Sequence, residues 1–213
     1  MRHYKLRARE ALLLIALGAA GSGLAGCAGQ AANSPASWYG QHKLAAPHRD
    51  KVVICHGFGC ALRTTVPFSA RDLAKLKGIL AKGAKSPAAE REAIARAVQW
   101  QERRVAPAVG SANDKGGFTF DSGVTGQMDC IDEATNTTSL LIVAERHGML
   151  KHHFVRSPVA RGFFLDGRYP HATAVVAEKK GGRTYAIDSW THDNGERPDV
   201  MTLNRWFAEN PGG

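Results

Sequence analysis

Residues 126–148 read GQMDCIDEATNTTSLLIVAERHG, and the reading of this stretch decides the fold. Asp129 is a good N-cap and Asp132 stands three residues on, the spacing that marks a helix start. Gly148 supplies the stop. The predicted helix therefore runs from about Cys130 to His147, with Cys130 as its first residue. Free backbone N–H groups and the positive end of the helix dipole surround a side chain there, and both favour a thiolate. Asp129, Asp132 and Glu133 crowd the same turn and oppose it. A nucleophilic reading of Cys130 therefore needs an imidazole partner. The competing reading is a small buried hydrophobe. The run Thr135–Ser139 (TNTTS) is costly inside a helix. Its hydroxyls must bond the preceding turn or loops beside a cleft.

Outward from this helix, the C-terminal side reads as sheet. PHATAVVAEKKGGRTYAIDSW is two strands around a KKGG turn. A four-residue loop pairs Glu178 with Arg183 and sets Asp188 opposite Thr173, on the face of His171. Asp188 could then orient the His171 ring and stabilise its charged form. KHHFVRS is a further candidate strand, THDNGERPDV a loop and LNRWFAEN a short closing helix. On the N-terminal side, KVVIC and LRTTVPF are strands around CHGFGC. Ser69 with Asp72 opens one helix. Ser86 and Pro87 open another, whose apolar face holds Ile94, Val98 and Val105 and which Pro107 is expected to end. Helices followed by a helix feeding an antiparallel sheet make the fold class α+β.

Before residue 51 the composition changes. Residues 1–26 carry a basic start, the apolar run ALLLIALGAA and a small-residue segment, the order of an export signal. The run is short and glycine-rich for a membrane span. LAGC, ending at Cys27, resembles the lipobox of bacterial lipoproteins. That resemblance implies cleavage before Cys27, acylation of Cys27 and attachment to membrane lipid. Ala28 in the next position implies the periplasmic face of the outer membrane in a two-membrane host. An ordinary signal cut near Ala25 or Ala28 is the alternative. Residues 27–50, with their prolines and small residues, read as a tether, and 51–213 as the domain.

The formal net charge is +9, of which the signal carries a third. The remaining cations are scattered without interleaved aromatics, which argues against a nucleic-acid partner. Four cysteines are present. With Cys27 acylated, Cys55 and Cys60 form a local disulfide across a glycine-rich loop and Cys130 is left over. Pairing of Cys130 with Cys55 or Cys60 remains open and would end the catalytic reading. Their spacing matches no common zinc pattern, so neither a metal nor another cofactor is expected.

MDCIDEATN, PHATAVV and YAIDSW together resemble the transglutaminase-like branch of the papain-like cysteine peptidase superfamily. The resemblance covers residues 127–190. It implies a nucleophile at Cys130, a base at His171, an orienting carboxylate at Asp188, and a fold in which the cysteine helix packs on an antiparallel sheet behind extra N-terminal helices. Gln127, three residues before the thiol, is the candidate side chain for an oxyanion hole beside the Cys130 N–H. The expected activity is hydrolysis or transfer of amide or acyl groups of a peptide or protein. The alternative is a non-enzymatic envelope lipoprotein that binds or scaffolds on such a fold.

Overall fold

The computed structural model describes residues 34–117, 120–162 and 170–209. The signal expected over residues 1–26, and Cys27, lie outside them. One compact unit spans Ser34–Gly213. Its elements are α1 (Pro35–Gln41), β1 (Lys51–His56), β2 (Leu62–Pro67), α2 (Ala70–Ala81), α3 (Pro87–Val109), α4 (Cys130–Arg146), β3 (His153–Arg161), β4 (His171–Glu178), β5 (Thr184–Asp188), β6 (Asp199–Thr202) and α5 (Leu203–Ala208). The molecule is α+β. β1 and β2 form an antiparallel hairpin, and the second sheet has the order β3-β4-β5-β6 with every pairing antiparallel.

The caps read from sequence are in place. Ser69 and Asp72 form a capping box on α2, Ser86 caps α3 ahead of Pro87, and Asp129 and Asp132 form a capping box on α4. α3 differs at its far end. Pro107 lies inside it, and the helix closes only at Gly110, which has φ +82° and donates its N–H to the Ala106 carbonyl. A proline in the last turn forfeits one ladder bond and leaves few downstream to lose, so the left-handed glycine sets the end.

α4 is the centre of the fold. It packs on β3 and β4 and on β1. Between Cys130 and Ala144 every residue except Ile131 is buried. A helix covered on all sides must match its polar groups within the protein, and three of the costly run do so across to neighbours, while Thr138 Oγ1 is buried without a hydrogen-bond partner among the described residues. Thr135 Oγ1 accepts from the Trp38 indole at 2.8 Å, and Ser139 Oγ bonds Tyr39 Oη at 2.8 Å. Asn136 brackets the Cys55 peptide, accepting from its N–H at 2.8 Å and donating to its carbonyl at 2.9 Å.

Those bonds also correct the tether expected over residues 27–50. Residues 34–41 belong to the domain: Ser34 caps α1, and Trp38 and Tyr39 are buried. Two large aromatics that each find a polar partner on α4 hold the segment down. β6 and the full length of β3 were not foreseen either. On α3, Glu90 is fully buried and accepts from the N–H groups of His152 and His153 and from the His153 ring, all at 2.8 Å.

Candidate active site

The hairpin β4–β5 keeps the register that KKGG implies. Glu178 N–H donates to the Arg183 carbonyl at 2.8 Å, Ala177 faces Thr184 and Ala174 faces Ile187. Continuing that register sets Thr173 opposite Asp188, so Asp188 is the diagonal neighbour of His171 on one face. Their side chains meet: His171 Nε2 lies 2.6 Å from Asp188 Oδ2. A carboxylate only accepts, so Nε2 carries the hydrogen and Nδ1 is the free lone pair. Nδ1 is buried and has no hydrogen-bond partner among the described residues.

Asp188 Oδ2 also accepts from the Trp206 indole N–H at 2.6 Å. Two indoles pack against the imidazole, with ring centroids 4.8 Å away for Trp190 and 5.4 Å for Trp206 and ring planes tilted by 39° and 40°. The His171 ring is thus held by a carboxylate at Nε2 and by tilted aromatic contacts.

Cys130 is the first residue of α4 and the one free cysteine among the described residues. Cys55 and Cys60 are joined to each other, so neither alternative pairing of Cys130 occurs. The Cys130 sulfur lies against the start of β4, donating to the Pro170 carbonyl oxygen at 3.8 Å, whereas the Ala172 backbone N–H favours its thiolate. The two residues that flank His171 are therefore the ones in touch with the thiol. Cys130 and His171 share a cavity of about 380 Å³ with Trp38, Gln41, His42 and Trp190. α1 and the residue that follows it, all read as tether, thus contribute three of its lining residues.

The electrostatics run against one expectation. The helix start does not lower the Cys130 thiol: burial, with Asp129 adding to it, pushes it up to about 12. Only 7% of the residue is exposed, and desolvation of a charge outweighs a helix dipole. The resting sulfur is thus a neutral thiol that donates to the Pro170 carbonyl, in the cavity that His171 also lines. Burial also lowers His42, which keeps that wall uncharged near neutral pH.

Gln127 is not brought to the cavity. A turn from Val124 to Gln127, with Gly126 at φ +85°, aims its amide away, and it donates to the Asn113 carbonyl at 3.4 Å. Gln41 instead is among the residues that line the cavity. Behind the thiol sits a set of buried acids. Glu133 accepts from Ser189 Oγ at 2.7 Å and is raised to about 8 by burial and then by Asp114. Asp114 is raised to about 7, mainly by burial, and Asp132 to about 7 by burial and then Asp129. Cys55, Cys60 and Asp132 bring possible ligand atoms within 4.8 Å of one another. The two sulfurs are bonded to each other, which leaves no thiolate there to hold a cation.

Sequence reasoning missed Trp206, Trp38, Gln41 and His42. A tryptophan in a six-residue closing helix carries no signal beyond that of a core anchor. The α1 residues follow a proline in a stretch of small and polar residues, and that composition hid them. No family model matches the chain, and neither does any curated protein or any solved structure. The site stands on its own geometry.

Proposed function

We propose that the chain is a thiol hydrolase or acyltransferase of the cell envelope, with a transglutaminase-like, papain-like arrangement of Cys130, His171 and Asp188. The observation that carries this reading is the sulfur set against residues 170–172 in one cavity with a histidine whose Nε2 is engaged by Asp188 and whose Nδ1 is unengaged. In the first step the Cys130 S–H proton passes to His171 Nδ1 as sulfur bonds to an amide carbonyl carbon. Asp188 stabilises the imidazolium. The oxyanion meets the Cys130 backbone N–H, the first free donor of α4, with the Gln41 amide nearby. Collapse breaks the C–N bond and returns the proton from His171 to the leaving amine. Water then cleaves the thioester in hydrolysis, and an amine does so in transfer. The substrate is a peptide or protein, and no cofactor enters the scheme.

A buried thiol raised to about 12 favours a second reading, a binding or scaffold protein with a shielded Cys130. A chloroacetamide probe separates the two. The enzyme labels at Cys130 at near-neutral pH, and His171→Ala slows labelling at least tenfold. Labelling that is slow and indifferent to His171 supports the scaffold and refutes the enzyme.

The envelope location rests on residues 1–26 and on acylation of Cys27, with the lipid facing the periplasm from the outer membrane where the host has two. Mass spectrometry of the mature N-terminus tests it. An unmodified terminus at Ala28, or uncleaved signal, would overturn it. Among the described residues no helix is long and apolar enough to cross a membrane.

A further inference from the structure

The loop between β1 and β2 reaches the nucleophile helix through its backbone. Four successive residues, Gly57, Phe58, Gly59 and Cys60, have φ of +79°, +70°, +61° and +58°. Such a run turns neighbouring N–H groups inward to form an anion-binding concavity. It is occupied by carboxylates of this chain. Phe58 N–H donates to Asp132 Oδ2 at 2.8 Å, Cys60 N–H to Asp132 Oδ1 at 2.6 Å and Gly59 N–H to Asp129 Oδ2 at 2.9 Å. These are the two capping-box residues of α4, and they flank Cys130.

The loop also grips the segment leading into that helix. Gly57 N–H donates to the Gln127 carbonyl at 2.6 Å, and Gly126 N–H donates to His56 Nδ1 at 3.3 Å. Phe58 and Cys60 are not glycine, so their left-handed backbone is strained and must be held by something outside the loop. The Cys55–Cys60 bond closes its base.

We infer that the Cys55–Cys60 disulfide, acting through the three N–H donors at 58–60, is the positioning device for the Cys130 helix start, and that its reduction switches the thiol site down. This rests on the thiol chemistry proposed for Cys130. The reductant is a dithiol. Two electrons and two protons pass from it to the Cys55–Cys60 bond, giving two thiols here and one disulfide in the reductant. Once open, the loop relaxes away from left-handed backbone at Phe58 and Cys60. Asp129 and Asp132 then lose their donors beside the sulfur, and the first turn of α4 loses its register against His171.

The test follows alkylation of Cys130 in the full chain by pulses of iodoacetamide from pH 6 to 10, read by mass spectrometry of the Cys130 peptide. Oxidised protein is compared with protein reduced by dithiothreitol and desalted, and with protein re-oxidised afterwards. Reduction lowers the rate at pH 7.5 about tenfold, and re-oxidation restores it. Cys55→Ala with Cys60→Ala reproduces the reduced state. Phe58→Gly, which removes strain without touching the bond, recovers part of the rate in reduced protein. A merely structural disulfide predicts the reverse: a loosened core exposes the buried thiol and labels faster. Faster labelling, or an unchanged rate, overturns the inference. His171→Ala in oxidised protein separates the two ideas. If it leaves the rate unchanged while reduction still slows it, the base assignment fails and the positioning role stands.

Discussion

Replacing Asp188 by Asn tests the site at its best-defined bond. The carboxylate lies 2.6 Å from His171 Nε2 and 2.6 Å from Trp206 Nε1. Asparagine has nearly the same shape and can keep one oxygen toward both donors, so packing changes little. The formal charge is lost. A buried hydrogen bond to a charged partner contributes about 1.5–3 kcal/mol, and here that stabilisation is specific to the imidazolium. Each 1.36 kcal/mol is about tenfold in a protonation equilibrium. The thiolate–imidazolium population, and with it alkylation of Cys130 at neutral pH, falls about 10- to 100-fold in Asp188→Asn. The assay is pulsed chloroacetamide labelling of Cys130 across pH 5–10, with near-UV circular dichroism to establish that the aromatic cluster is intact. A folded Asp188→Asn protein that labels within twofold of wild type at every pH refutes the triad.

Two further outcomes concern stability. Glu133, Asp114 and Asp132 are raised to about 8, 7 and 7 by burial, so the folded state binds more protons than the unfolded chain between the ordinary carboxylate range and these values. Stability is then highest near pH 5 and falls as pH rises toward 8, each group contributing up to about 1.4 kcal/mol per pH unit. Denaturant midpoints at pH 5.5 and 8 measure this, Glu133→Gln flattens the slope, and a midpoint that rises with pH contradicts it. Separately, Glu90→Ala removes the acceptor of three backbone N–H groups, those of Lys151, His152 and His153, and of the His153 ring at a fully buried position. It costs about 3–5 kcal/mol in urea unfolding, and a loss below 1 kcal/mol means that Glu90 is dispensable.

The parts of this protein legible in its sequence are those fixed by near neighbours along the chain. Asp129 and Asp132 start α4 because a side chain three residues away reaches an N–H, whatever packs around it. KKGG fixes the hairpin register, and with it the meeting of His171 and Asp188, because strand pairing alternates with period two. Cys55 and Cys60 are near enough along the chain to find each other locally.

Only the tertiary structure decided the rest. Trp206 reaches Asp188 from a separate helix, and Trp38 reaches Thr135 across 97 residues. Gln127 bonds the Asn113 carbonyl and stays out of the cavity that Gln41 lines, a choice made by packing and by one left-handed glycine. The sign of the Cys130 shift also lay beyond the sequence. The dipole of a helix start is a local property, whereas the loss of solvent that overrides it depends on every element folded around the sulfur.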